Sequence, residues 1–244
     1  MNASSHTFRV RPRYGDFSPG GHLGLGAMTR FLQEAAIDHS KALGLDIGTL
    51  LRLGRTWVLR GLAVVVEGLS PQHGQTVDVR TWCGSLRRVR ARRDYEVTVE
   101  GRPLLRATSL WLTIDPGTRR LAALPEEASS LYRPIPETAL DEDIGAWKPS
   151  CPPQVATPVE SGIRLADMDG NGHLNNAVYL DMAEDALYRV RGHEPTFKSF
   201  RVVFGREIPV GSTSVWVDVW TGPQKTQVLI GGEQEHAWVE LGHE

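Results

Sequence analysis

The densest group of chemically capable side chains is Asp167-Met168-Asp169-Gly170-Asn171-Gly172-His173-Leu174-Asn175-Asn176, set immediately before a helix-periodic stretch. If this segment is extended, the alternation of Asp169, Asn171 and His173 turns a carboxylate, an amide and an imidazole to one side. These are the groups on which general acid–base catalysis draws. Asn175 and Asn176 are candidates to cap the helix that follows, and backbone N–H groups at its start can polarise a carbonyl oxygen. Asp, Asn and Gly are equally ordinary turn residues. The order Asp-x-Asp-Gly-Asn-Gly also suggests a calcium loop, which needs a glutamate at its twelfth position. Counted from Asp167 that position is Val178, and from Asp169 it is Leu180, so calcium is discounted. On residue types alone, a catalytic segment and a plain turn both stand.

The surrounding elements must position this segment. Residues 7–14 read as a strand and residues 15–26 as a Gly/Pro-rich turn. Met28, Phe31, Leu32, Ala35, Ala36 and Leu43 fall at helical spacing up to Gly44, a plausible stop. After a short helix over 47–53, the period becomes two. Residues 56–68, the Val77/Val79 segment, the Tyr95/Val97/Val99 segment and residues 104–114 read as an antiparallel sheet. Seven prolines interrupt residues 116–157, the expected linker. A strand over 159–165, a turn over 167–176, a helix over 177–191 and strands near 197–206, 213–221, 225–231 and 235–241 then repeat the order. Gly21-His22-Leu23 matches Gly172-His173-Leu174, and Ala27, Glu34 and Ala36 match Ala177, Glu184 and Ala186. Duplication accounts for this shared order. The expectation is an α+β chain of two similar domains, 1–115 and 158–244, joined by 116–157.

Composition narrows the function. A formal net charge of −2 argues against a general nucleic-acid binder, which needs a basic excess. Two cysteines, Cys83 and Cys151, exclude a disulfide framework and offer no Cys-x-x-Cys pair. The longest apolar stretch, near Leu62 to Val66, is too short to span a bilayer. No secretory or transit pattern opens the sequence, so the cytoplasm is the expected compartment. The histidines lack metal-ligand spacing, and neither a phosphate loop nor a nucleophile-elbow serine motif occurs. No cofactor and no metal are expected.

Asp169-x-Asn171-x-His173-x-Asn175-Asn176, followed by Tyr179, resembles the signature of the acyl-acyl carrier protein thioesterases, the double-hotdog family of plant plastids and bacteria. Leu32-Gln33-Glu34-Ala35-Ala36, Gly54-Arg55-Thr56-Trp57-Val58-Leu59, Arg92-Arg93-Asp94-Tyr95, Ala107-Thr108-Ser109-Leu110-Trp111 and Thr118-Arg119-Arg120-Leu121 are similar to further stretches of that family. The resemblance covers most of residues 7–240. It implies a tandem double hotdog, each antiparallel sheet wrapped around a long helix, with an acyl-binding first half and a cutting second half. It also implies a glutamate beyond a later strand, and Arg206-Glu207 stands at that place, with Glu207 34 residues past His173. Many plant members carry a cysteine next; this chain has Ile208, which excludes a cysteine nucleophile there. Without the resemblance, Glu207 beside Arg206 would read as a solvated ion-pair member.

The resemblance implies hydrolysis of fatty acyl thioesters on acyl carrier protein. Glu207 would be base or nucleophile, His173 would bond the water or Glu207, Asn171 would orient water or thioester, and Asp169 would orient Asn171 or His173. The helix start near Asn175 and Asn176 would hold the oxyanion and contact substrate. Trp57, Trp82 and Trp111 are candidates to line an acyl tunnel, with core packing as the alternative. The run Arg87, Arg88, Arg90, Arg92 and Arg93 is a candidate docking patch for an acidic carrier protein, or else the solvent face of a strand. His22, preceded by Gly20-Gly21, is expected to be a turn or core-edge residue rather than a catalyst. A duplicated hotdog already contains the pairing that single hotdogs obtain by dimerising, so monomer and homodimer are both open. Competing readings are an acyl-CoA thioesterase, a hotdog hydratase and a non-catalytic acyl-binding protein.

Overall fold

The computed structural model describes residues 4–243. The chain divides into two compact units. One takes the residues up to Tyr14 together with Arg30–Gly145, and the other takes Gly15–Thr29 together with Ala146 onward.

In the first unit β1 (Ser5–Val10), β2 (Thr56–Val66), β3 (Val77–Arg87), β4 (Arg90–Val99) and β5 (Arg102–Ile114) form an antiparallel array in the order β1-β3-β4-β5-β2. The period-two pattern explains it. Val77, Val79, Tyr95, Val97, Leu105 and Ala107 are buried, while the alternating positions carry cross-strand ion pairs. Arg9 bonds Asp78 at 2.6 Å across β1 and β3, and Arg80 bonds Glu96 at 2.8 Å across β3 and β4. Helix α1 (Leu25–Ala42), which belongs to this unit from Arg30 onward, contributes Leu32, Ala35 and Ala36 to the buried set. The short helix α2 (Ile47–Arg52) is capped by Asp46, whose carboxylate accepts from the Thr49 N–H at 2.8 Å.

The proline-rich segment holds more structure than a connector. A short helix α3 (Glu126–Ser129) places Ala128, with Leu124 and Tyr132, in one buried cluster with Leu45, Leu50 and Cys83. Further on, Ala139, Leu140 and Ile144 are buried. The carbonyls of Leu140 and Glu142 accept from Arg92 at 2.5 and 2.9 Å, and the Glu137 carbonyl accepts from the Trp82 indole at 2.8 Å. Irregular backbone can be packed this way because side chains distant in sequence satisfy its polar groups. Residues up to Gly145 accordingly group with the first unit.

In the second unit β6 (Thr157–Gly162), β7 (Ser199–Phe204), β8 (Ser214–Thr221), β9 (Lys225–Ile230) and β10 (Ala237–Gly242) lie in the order β7-β10-β9-β8-β6, all antiparallel. Helix α4 (Asn176–Arg191) packs on β6, β8, β9 and β10. Its buried positions Ala177, Leu180, Ala183 and Leu187 recur at helical spacing, and Val217, Val219, Val228 and Val239 of the strands it packs on are buried as well. Gly192, with φ of 74°, ends α4 in the left-handed conformation that favours glycine. The polar residues of α4 divide their tasks. Asp185 pairs with Arg189 at 2.8 Å on the exposed side, and Glu184 accepts the Leu25 N–H at 2.9 Å.

Candidate active site

The segment before α4 is a closed turn, as expected for residues 167–176, so Asp169, Asn171 and His173 do not alternate along an extended stretch. The Asp169 N–H donates to the His173 carbonyl at 2.8 Å, and the Gly172 N–H donates to the Asp169 carbonyl at 3.1 Å. Gly172 takes φ of 78° to close it. The Asp169 carboxylate is spent on the same turn. It accepts from the N–H groups of Asn171 at 2.8 Å and His173 at 3.4 Å. Asp169 is therefore the brace of the segment that carries His173. Asp167 fixes its entry: its carboxylate pairs with Arg164 at 2.7 Å, which holds it below the ordinary carboxylate range, and its carbonyl accepts from the Asn175 N–H at 2.9 Å. Asn175 is the helix cap, its side-chain oxygen accepting from the Ala177 N–H at 2.9 Å.

Glu207 reaches this turn by a short ladder. The Leu174 N–H donates to the Ile208 carbonyl at 2.9 Å and the Val210 N–H to the Gly172 carbonyl at 3.0 Å, with His173 bridged to Pro209. Two segments more than thirty residues apart are thus laid antiparallel. The Glu207 carboxylate then stands 3.1 Å from His173 Nε2, both side chains partly open to solvent. Just before the glutamate, Gly205 lets the backbone pass close to Glu235 and His236. A Cβ there would lie 2.0 Å from the Glu235 carbonyl oxygen.

The duplicated half carries a copy of the same turn. The Ser18 N–H donates to the His22 carbonyl at 2.8 Å, the Gly21 N–H to the Ser18 carbonyl at 2.9 Å, and the Gly24 N–H to the Asp16 carbonyl at 3.1 Å. Ser18 Oγ accepts from the His22 N–H at 3.2 Å, as the Asp169 carboxylate does from His173. Gly21 has φ of 80°, matching Gly172. The chemistry differs. Ser18 and Gly20 replace Asp169 and Asn171, and His22 is exposed. The first helical N–H of α1, on Leu25, is taken by the Glu184 carboxylate. At the matching position of α4, no group among the described residues accepts from the Asn176 N–H. Burial, with the charges of Asp181 and Glu194, pushes the Glu184 carboxyl up to about 7, against the opposing effect of the Leu25 N–H.

Asp169, Asn171, His173, Asn175, Asn176 and Glu207 all lie in the second unit; Trp57, Trp111 and the arginine run belong to the first. The Trp57 indole donates to the Tyr132 hydroxyl at 3.0 Å and packs edge-on against its ring, at the margin of the Leu45–Leu124 cluster. Trp111 is half-buried and donates to Ser109 Oγ at 2.9 Å. Trp82 is fully buried beneath Arg80. The arginine run splits. Arg87, Arg88 and Arg90 are exposed around the β3–β4 turn, where Arg88 has φ of 53°. Arg92 and Arg93 leave the expected patch. Arg92 grips the buried Asp94 at 2.8 Å, and Arg93, 6% exposed, meets His39 Nδ1 at 2.8 Å and Thr81. As neighbours on β4 the two point to opposite faces, and each is held by its own partners, Arg92 by Asp94 and Arg93 by His39 and Thr81.

A group that residue typing left without a role is Tyr179. It is buried three residues after Asn176, its ring edge-on to Phe204, and its hydroxyl accepts the Ile208 N–H at 3.2 Å. Burial chiefly, then the charges of Glu207 and Asp169, push its hydroxyl up to about 12. The spacing of Tyr179 from the helix cap was the available signal; its partner is a backbone group that no sequence pattern marks.

The comparisons with known proteins agree with this architecture. The acyl-ACP thioesterase N-terminal domain model matches residues 3–132, and the acyl-ACP thioesterase C-terminal domain model matches residues 153–235. A chloroplastic dodecanoyl-[acyl-carrier-protein] hydrolase of Cinnamomum camphora is 31% identical over 218 residues, covering 84% of this chain and 56% of the relative. A hydrolase of the same description from Umbellularia californica is 31% identical over 71% of this chain and 48% of its own length. The chain thus spans about half the length of these curated relatives. Among solved structures, the putative oleoyl thioesterase of Lactobacillus plantarum aligns with TM-score 0.85 at 21% identity, over 98% of this chain and 96% of that one. The 12:0-ACP thioesterase of Umbellularia californica aligns with TM-score 0.82 at 24% identity, with the same coverage. These likenesses show the fold, a double hotdog. With both domain models matched in order, the chain belongs to the acyl-ACP thioesterase family.

Proposed function

We propose that this chain hydrolyses fatty acyl thioesters carried on acyl carrier protein and releases the free fatty acid. One observation carries the reading: the carboxylate of Glu207 and the imidazole of His173 meet at 3.1 Å beside a helix start. With Glu207 ionised, His173 Nε2 carries the shared proton and holds the carboxylate in place. Glu207 takes a proton from water, and the hydroxide oxygen bonds to the thioester carbon. The carbonyl oxygen becomes an oxyanion, and the Asn176 N–H at the positive end of α4 is the donor that meets it. The C–S bond then breaks, the sulfur leaves as a thiol with the proton that Glu207 took, and the acyl group leaves as the acid. Asn171 orients the water or the thioester from the tip of the turn, and Asp169 keeps the turn closed. Arg87, Arg88 and Arg90 supply a positive surface for an acidic carrier.

The test is thiol release from a series of acyl chain lengths, each presented on carrier protein and on coenzyme A. Glu207→Gln and His173→Ala are each expected to lose about 10²–10⁴-fold in turnover. Near-normal turnover in both variants would overturn the assignment. Faster turnover on coenzyme A would move the substrate class to acyl-CoA, and retained acyl ligand without thiol release would indicate a binding protein.

A further inference from the structure

We infer that Tyr179 is a positioning residue for the hydrolysis, acting on Glu207 through the backbone of Ile208. The inference rests on the hydrolase reading given above and adds a residue to it. Glu207 stands outside regular structure, between the end of β7 at Phe204 and the bridge at Pro209. Its place is held by the backbone on its C-terminal side. The Ile208 carbonyl is held by the Leu174 N–H at 2.9 Å, and the Ile208 N–H by the Tyr179 hydroxyl at 3.2 Å. Both faces of the peptide groups around Ile208 are thereby tied to the turn and to α4, the two elements that present His173 and the Asn176 N–H. The tie is rigid. Tyr179 is buried in the first turns of α4, its ring is set against Phe204 at the end of β7, and Ile208 is itself buried. A hydroxyl in this place serves because it accepts the N–H while staying neutral. One aromatic side chain therefore bears on the distance from the acid to the imidazole through the backbone of Ile208. A displacement of about 1 Å at a reacting group can cost on the order of 100-fold in rate.

The experiment is a double-mutant cycle on turnover of an acyl-carrier substrate. Tyr179→Phe keeps the ring and its contact with Phe204 and removes only the oxygen. In the parent background kcat is expected to fall about 10- to 100-fold with KM within about twofold, since the defect lies in positioning rather than in binding. In the Glu207→Gln background the same substitution is expected to change the residual rate by less than about twofold, because its effect runs through Glu207. A tyrosine that only supports the fold would cost the same factor in both backgrounds. An ester in place of the peptide N–H of Ile208 provides a second route if the phenylalanine variant does not fold. It removes the donor without leaving a buried N–H unpaired, and is expected to reproduce the loss of kcat. Equal losses in the two backgrounds, or an unchanged kcat for the ester, overturn the positioning role. A parent protein that releases no thiol from any acyl carrier overturns the hydrolase reading itself, and the inference with it.

Discussion

Glu184→Gln is expected to stabilise the protein, increasingly as pH rises from about 4.5 to about 7. Glu184 projects from α4 to the start of α1, where it accepts the Leu25 N–H at 2.9 Å. Its carboxyl titrates at about 7 in the fold, against an ordinary value of 4.5, chiefly because it is buried. Between those values the folded protein holds a proton that the unfolded chain has released, so stability falls as pH rises across the window. Below the lower value the penalty is absent, and above the upper one it is complete. At roughly 1.4 kcal/mol for each pH step, the ceiling is about 3 kcal/mol. Water at a partly accessible side chain and the lost attraction to the helix start reduce this to about 1–2 kcal/mol. Glutamine keeps an oxygen for Leu25 and removes the charge that Asp181 and Glu194 oppose. The assay is urea unfolding followed by tryptophan fluorescence from about pH 4.5 to 8.5. Parent and variant should coincide at the acid end and separate progressively towards pH 8, with the variant the more stable. A gap that does not change with pH, or a variant less stable at pH 8, would refute the reasoning. It would mean that the bond to the α1 start outweighs desolvation.

Other substitutions test the remaining parts. Gly205→Ala forces a Cβ against the Glu235 carbonyl and should cost about 1–3 kcal/mol in stability, with a larger fractional loss of kcat than of KM because Glu207 shifts; normal kinetics would show that the backbone gives way freely. Asp169→Ala removes the acceptor for two turn N–H groups and should lower kcat by about 10-fold or more, whereas His22→Ala in the copied turn should leave turnover within about twofold; a kinetic defect in the latter would assign chemistry to the first half. Replacing Arg87, Arg88 and Arg90 together with alanine should raise KM for carrier-linked substrate and flatten its salt dependence without changing the melting temperature. Arg92→Ala, which leaves Asp94 buried without its partner, should instead cost about 3–5 kcal/mol in stability.

Much of this protein was legible in its residues because the signals are local. The period-two runs at Val77–Val79 and Tyr95–Val99 became β3 and β4, and the helical spacing after Asn176 became α4, since each pattern reports which face of one element is buried. The repeat of Gly21-His22-Leu23 as Gly172-His173-Leu174 appears as two turns with the same hydrogen bonds, because a left-handed glycine and a short acceptor four residues before the histidine suffice to close each one. The pairing of His173 with Glu207 could be anticipated only by resemblance, since nothing between positions 173 and 207 encodes their meeting.

Tertiary structure decided the rest. Residues 116–145 looked like a linker because their prolines break periodic elements, yet Trp82, Arg92 and Asp94 supply the donors and acceptors that let irregular backbone pack. Five arginines looked like one patch because sequence shows charge without direction; Arg92 and Arg93 are instead engaged by Asp94 and His39. Asp169, expected to orient Asn171 or His173, accepts from the backbone N–H groups of both, a contact that only the closed turn makes. Tyr179 gained its part from a backbone N–H twenty-nine residues away. Composition and spacing determine which elements form and which side chains are available. Where a carboxylate points, and which N–H is left open, depend on hydrogen bonds between segments that only the folded chain brings together.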